Sequence, residues 1–335
     1  MGESFKLSEQ EHERIYQELE ADLLRKTEPA LHPQVIITGG QPGSGKSKLL
    51  EKSREDFPNG NVVVINGDDL RNFHPSRREI FKLDDKRFAE RTDPDSRLWT
   101  KRLFDKAIET KRNIIFESTM REAGPISETM QRLRDDGYHI TAKVVATHER
   151  MSTTGIFARY EEQKSQKGSG RWSELSSHDA GYAGMPKTVE HIENNKLVDR
   201  LEVYARSGEL LSRNELTNGQ WAKEPNAVKV IEAERERKPT DKEIDAFRSD
   251  WQQIYHLMDE RKAPLREIEQ ARSVYQKLER GLERARELDR QPEKPPSKLG
   301  KLFGKRDDRP KKVGDRQNDL EQEQEEKREP DDRER

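Results

Sequence analysis

The stretch Val35–Leu50, VIITGGQPGSGKSKLL, sets four glycines into the seven positions 39–45, between an apolar run and a run of helical character. Glycine is costly inside a regular element, so a cluster of this kind marks backbone that must lie bare. Gly40 to Ser47, GQPGSGKS, fits the pattern G-x-x-x-x-G-K-[ST], and both flanks fit it too. The pattern assigns Gly40, Gln41, Pro42, Gly43, Ser44, Gly45, Lys46 and Ser47 to a polyphosphate. The glycines let successive amides point inward around it. A helix starting near Lys46 adds its positive end. Lys46 reaches the terminal phosphates, and Ser47 offers its hydroxyl to Mg²⁺. The alternative, a plain glycine-rich turn, is set aside because strand and helix flank the loop as the motif requires.

Working outward, short apolar runs alternate with helical patterns. The runs are Gln34–Thr38, Asn61–Asn66, Asn113–Glu117, Ile140–Thr147 and Leu201–Ala205. Runs such as NVVVIN and NIIF do not alternate with polar residues, so they suit strands buried on both faces. The expected fold is α/β, a P-loop NTPase-type parallel sheet flanked by helices. RSGELL after the last run reads as a turn into a short return strand. Ahead of the sheet, Ser8 and Glu11 form a capping-box pattern, followed by Ile15, Leu19, Leu23 and Leu24 at helical spacing. One amphipathic helix is expected from about Ser8 to Lys26, ended before Pro29.

Beyond Ala233 the character changes. Thr240 and Glu243 form a second capping box, and Ile244, Phe247, Trp251, Ile254 and Met258 step by three and four. After Pro264 the stripe resumes with Leu265, Ile268, Tyr275, Leu278, Leu282 and Ala285, so two helices are expected. Trp251 and Tyr275 read as packing residues on those stripes. From Gln291 the chain is Pro/Gly-rich and then almost wholly charged, which reads as a disordered tail. The expected organisation is an N-terminal helix at 1–30, a P-loop kinase domain at 31–232, a helical hairpin or coiled-coil segment at 240–290 and the tail at 291–335.

Composition bounds these readings. Of 335 residues, 30% are apolar and 39% charged, so the core cannot extend through the whole chain. The net charge of −2 gives no argument for nucleic acid as a partner. With no cysteine, disulfides, thiol catalysis and Cys-ligated zinc are excluded. No run is long and apolar enough to span a membrane, and a cytoplasmic location is expected. The histidines show no zinc-type spacing, and His74 beside Pro75 reads as structural.

Phosphoryl transfer needs an acceptor and a group to take its proton. Asp68 and Asp69, in VVVINGDDLRNFHP, sit just past a strand end, where open α/β sheets face their ligands. Either carboxylate is a candidate base, and an Asp-rich turn or cap is the competing reading. Glu117 ends another strand and suits the metal or an acceptor hydroxyl, with Ser118 and Arg121 within reach. Arg159 and Arg171 flank a Gly/Ser/Lys stretch. A mobile loop carrying them over the phosphates would stabilise transition-state charge; a solvated basic loop is the competing reading.

The segments GQPGSGKS, VVVINGDDLRNFHP, FESTMR and ARYEEQ…GRW, in this order and spacing, resemble the zeta toxin family of P-loop kinases over roughly Gln34–Asn214. The resemblance implies a kinase that uses ATP and Mg²⁺ to phosphorylate the 3-hydroxyl of a UDP-activated amino sugar, typically UDP-N-acetylglucosamine. It implies a toxin that blocks cell-wall precursor synthesis and is held inactive by a small helical antitoxin. By position it makes Asp68 rather than Asp69 the general base. It gives Glu117, Ser118 and Arg121 to the substrate, and Arg159 and Arg171 to the γ-phosphate and lid. The chain departs from the family at EAGPISET, after Arg121, which touches the sugar pocket. Kinases for another hydroxyl, on a dinucleotide or polynucleotide, and an NTP-driven switch are the alternatives. The added helices suggest a cis-inhibitory role or a docking face for an antitoxin, with plain packing as the competing reading.

Overall fold

A computed structural model describes residues 5–290. The tail expected at 291–335 lies outside the described residues. In chain order the elements are α1 (Glu9–Leu24), β1 (Gln34–Gly39), α2 (Lys46–Arg54), β2 (Val63–Ile65), α3 (Gly67–Leu70), α4 (Arg77–Asp84) and α5 (Phe88–Glu109). Then follow β3 (Ile114–Glu117), α6 (Ala123–Asp135), β4 (His139–Ala146), α7 (Glu149–Lys167), α8 (Leu175–Asn194), β5 (Arg200–Ala205), β6 (Leu210–Thr217) and β7 (Gln220–Trp221). The chain continues with α9 (Ala227–Glu236), α10 (Asp241–Glu260) and α11 (Leu265–Arg290).

The strands form one sheet in the order β2-β3-β1-β4-β5-β6-β7. The strands β1 to β5 run parallel, while β6 returns antiparallel to β5 and β7 to β6. As the apolar runs require, β1 lies in the middle: Val35 faces Ile114 of β3 on one side and Ile140 of β4 on the other. Val35, Ile36 and Ile37 are each at most 3% exposed. Burying side chains of that size contributes roughly 1.5–3 kcal/mol apiece. The glycine loop therefore leaves a buried strand paired on both sides, at the carboxyl end where the crevice opens.

Two strands differ in length from expectation. Only Val63–Ile65 pair in β2, because the flanking asparagines serve other partners. The Asn66 side chain accepts from the Asp68 amide at 2.9 Å and so caps α3. The return strand β6 is eight residues long rather than short.

The Ser8 hydroxyl caps α1 by accepting from the Glu11 amide, and donates in turn to the Glu11 carboxylate. Ile15, Tyr16 and Leu19 of α1 are buried in the main core with Trp99 and Leu103 of α5. The capping box of Thr240 and Glu243 starts α10 as expected. Helix α10 packs along α7, and Phe247, Trp251 and Leu278 share a second core with Phe157, Tyr160 and Trp172. His74 is buried, with Nε2 3.0 Å from the Phe5 carbonyl, a packing role. Among the described residues, no helix is long and apolar enough to cross a membrane.

Candidate nucleotide and phosphoryl-transfer site

Gly39 ends β1 and Lys46 opens α2, so the loop between them must reverse the chain within six residues. It does so with Gly40, Gly43 and Gly45 at φ of 152°, 74° and 100°. The bend is close as well as left-handed. A Cβ on Gly43 would lie 2.0 Å from the Ser152 carbonyl oxygen of α7. Lys46 Nζ lies over the loop and donates to the carbonyls of Gly40 at 2.7 Å and Gln41 at 3.2 Å. It stands 3.8 Å from the Glu117 carboxylate. Burial pushes the Lys46 ammonium below its usual range, against the pull of Glu117 and Asp68.

The loop is braced from behind. Gln41 does not face the cleft: its buried amide donates to the Thr147 carbonyl at 3.0 Å and to Ser152 Oγ at 3.2 Å, and accepts from Arg235 at 3.2 Å. Ser44 is likewise buried, with its hydroxyl under Gly40. These two residues of the motif support the loop with their side chains and can meet a phosphate only through backbone. Pro42, Gly43, Gly45, Lys46 and Ser47 line a cleft of about 470 Å³.

Asp68 faces the same cleft from the first turn of α3. Arg71, one turn further along, reaches its carboxylate at 3.2 Å, and Arg171 at 3.5 Å. Arg71 is itself fixed by the Ala89 carbonyl at 2.7 Å and Asp93 at 2.8 Å. Burial alone would push the Asp68 carboxyl up; Arg171, Arg71 and Arg159 outweigh it and hold the group below its usual range. Asp68 is therefore ionised near neutrality and able to accept a proton. Asp69 borders the cleft too, and partial desolvation pushes its carboxyl up, with Arg171 opposing.

Glu117, at the end of β3, accepts from Asn66 at 2.8 Å, and burial raises its pKa against the pull of Lys46. Arg159 of α7 donates to Ser173 at 2.8 Å; burial, with Arg171 beside it, lowers it to about 10. Thus Lys46, Ser47, Asp68, Glu117, Arg159 and Arg171 converge on one cleft.

Two expected residues do not. The Ser118 hydroxyl accepts from the Met120 amide at 3.0 Å and closes a local turn. The half-exposed Arg121 guanidinium pairs with Glu122 at 3.0 Å. Neither lines the cleft; Thr119, between them, does. The chain turns sharply here, with Met120 at φ 48°. Sequence reading also missed Arg71 and Arg206. Arg71 follows Asp68 by three residues on one helical turn, a legible spacing. Arg206, just past β5, donates to the Gly43 carbonyl and borders the cleft, with no motif to announce it.

A second cavity of about 840 Å³ shares Asp69 and Arg171 with the first. Arg77, Arg78, Lys82 and Lys167 surround it, with Phe81 stacked on Phe88 at 4.1 Å in its wall. No residue of α1, α10 or α11 lines either cavity, so the cis-inhibitory placement considered for those helices is not found among the described residues.

The profile of the zeta toxin family matches residues 20–217. A toxin zeta of Streptococcus pyogenes is 27% identical over 259 residues, 77% of this chain and 86% of that protein. A toxin zeta of Enterococcus hirae is 29% identical over 213 residues, 63% of this chain and 72% of that protein. A solved structure of the PezAT chromosomal toxin–antitoxin system of Streptococcus pneumoniae has the same fold, with a TM-score of 0.65 at 21% identity, covering 76% of this chain and 98% of that one.

Proposed function

The chain belongs to the zeta toxin family, and from that premise we propose an ATP-dependent kinase that phosphorylates the 3-hydroxyl of UDP-N-acetylglucosamine and thereby arrests cell-wall synthesis. The observation that carries the reading is the meeting of Asp68 with Lys46 and two arginines in one cleft. A switch ATPase needs a water held at the γ-phosphate; a substrate kinase needs an ionised carboxylate beside it, which Asp68 supplies.

In this reading Lys46 turns from the loop carbonyls to the β- and γ-phosphates, and the Gly43 and Gly45 region cradles them. Arg159 and Arg171 meet the charge that develops on the transferred group. Asp68 accepts the proton of the acceptor hydroxyl as its oxygen bonds to the γ-phosphorus, and the bond to the β-phosphate breaks to release ADP. The donors suit Mg²⁺: Ser47, with Asp68 and Glu117 lining the same cleft, would hold it. Among the described residues no group of three acidic or histidine side chains gathers for a metal. When bound, the ion would neutralise charge on the substrate phosphates.

The acceptor side is the larger cavity. Arg77, Arg78, Lys82 and Lys167 there suit a diphosphate, and Phe81 suits a flat base. Asp69 and Arg171 border both cavities, so an acceptor lying there could present a hydroxyl to Asp68. The action is placed in the cytoplasm, where the sugar nucleotide is made, with a helical protein antitoxin as the restraining partner.

The experiment is expression in a bacterial host followed by extraction of nucleotide sugars. Growth arrest with accumulation of phosphorylated UDP-N-acetylglucosamine is expected, and neither with Lys46→Ala. Arrest with an unchanged sugar-nucleotide pool would overturn the reading.

A further inference from the structure

Arg171 sits on the seven-residue connector between α7 and α8, a kind of segment that is ordinarily mobile. Here it is pinned on both sides. The Gly170 amide donates to Asp85 Oδ2 at 3.1 Å. The Arg171 amide donates to the Gln163 side chain at 2.9 Å. Trp172 is 5% exposed and meets Phe157 and Tyr160 edge-on at 5.1 and 5.4 Å. Of the triple Gly170–Arg171–Trp172, only the arginine lines a cavity.

Asp85 is buried between α4 and α5, far along the chain from the connector. Besides the Gly170 amide it accepts from the Tyr160 hydroxyl at 2.8 Å and pairs with Lys164 at 3.0 Å. A buried carboxylate is costly unless its partners are well placed, and these partners all belong to α7 and the connector. Nothing looser would fit: a Cβ on Gly170 would lie 2.3 Å from the Tyr160 carbonyl oxygen. Behind Trp172 stands the second core, in which α10 and α11 supply Ile244, Trp251, Met258 and Leu278. Lys86 lies over the Trp172 ring at 4.9 Å and reaches Glu267 of α11 at 3.6 Å. Helices α10 and α11 begin after the family match ends at residue 217.

We propose that Asp85 and Trp172 are positioning residues that hold Arg171 over Asp68, with α10 and α11 as the wall behind Trp172. The C-terminal helices then serve the reaction without touching its substrates. This rests on the role given to Arg171 in the kinase reading, and adds to it the source of that arginine's rigidity.

The test uses the full chain with Asp85→Ala, Asp85→Asn and Gly170→Ala, each alone and combined with Arg171→Ala. Asp85→Ala and Gly170→Ala should lower kcat by about 10- to 100-fold, as a displacement of about 1 Å can, with ATP affinity little changed. In the Arg171→Ala background each should add no more than about twofold, as residues acting as a unit do. Asp85→Asn keeps an acceptor for the Gly170 amide and should recover most of the rate. Equal losses in both backgrounds, or an unchanged kcat in Gly170→Ala, would overturn the proposal. If Asp85→Ala does not fold, Gly170→Ala carries the test. Hydrogen exchange at the Gly170 and Arg171 amides needs no acceptor. Slow exchange that Asp85→Ala accelerates and Asp85→Asn largely preserves supports the anchor. Fast exchange in the unmutated chain refutes it, whatever the chain phosphorylates.

Discussion

Asp68→Asn separates proton abstraction from nucleotide binding. The substitution keeps the size of the side chain and removes its charge. Arg171 Nη1 lies 3.5 Å from the carboxylate. At that separation two unit charges attract by about 1 kcal/mol in water and about 5 kcal/mol at an effective dielectric of 20. Asp68 is partly open to solvent, with 39% of its side chain exposed, so the lower figure applies. Freed of the carboxylate, Arg171 is more available to the γ-phosphate. ATP should therefore bind no more weakly, and up to roughly fivefold more tightly, for about 1 kcal/mol. The rate should fall by about 10²- to 10⁴-fold with loss of the base. Calorimetric titration with a non-hydrolysable ATP analogue gives the first number, and product formation at saturating ATP the second. Product formed within about tenfold of the unmutated rate would refute the role of Asp68 as base. A loss of nucleotide affinity would refute the electrostatic argument.

Three further outcomes follow from the geometry. His148 at the start of α7 is held to about 4, against an ordinary 6.5, by burial and by Arg150. As pH falls from 7 to 5 the unfolded chain takes up a proton that the folded one refuses, so about 2 kcal/mol of stability should be lost. Urea titrations of His148→Asn at the two pH values should show a correspondingly smaller difference. Trp251 is 1% exposed and donates to Thr154 Oγ1 at 2.9 Å. Trp251→Ala should cost about 3–5 kcal/mol in denaturant titration. In Gly43→Ala the new methyl would meet the Ser152 carbonyl at 2.0 Å with φ at 74°. Strain of about 1–3 kcal/mol in the loop should weaken ATP by about 5- to 140-fold by titration while the far-ultraviolet circular dichroism stays native.

The loop and sheet were legible because their constraints are local. Only glycine serves at φ of 74° and 100°, and GKS marks where α2 begins. The runs around Ile36, Ile115 and Val144 are apolar on both faces because both faces are covered. Asp68 could be placed past a strand end, but not its protonation state. That depends on Arg171, 103 positions away, and on Arg71, whose spacing could have been noticed. The bracing of the site was not legible at all. Asp85 meets Gly170 across 85 positions and Arg235 meets Gln41 across 194. Such pairings leave no periodic trace in either segment. Ser118 and Arg121 adjoin Glu117 in sequence, yet neither lines the cleft that Glu117 lines, and Met120 turns the chain between them. The helices at both ends were found by their stripes, yet a stripe does not say what it covers. Here α1 covers α5 and α10 covers α7.

The most direct measurement is made on the purified chain with ATP, Mg²⁺ and a panel of UDP-sugars, with ADP and phosphorylated sugar counted together by mass spectrometry. The account predicts one ADP for each phosphoryl group on UDP-N-acetylglucosamine, little ADP without an acceptor, and neither product from Lys46→Ala. ADP released at the same rate with or without any sugar nucleotide, and no phosphate gained by any of them, would contradict it.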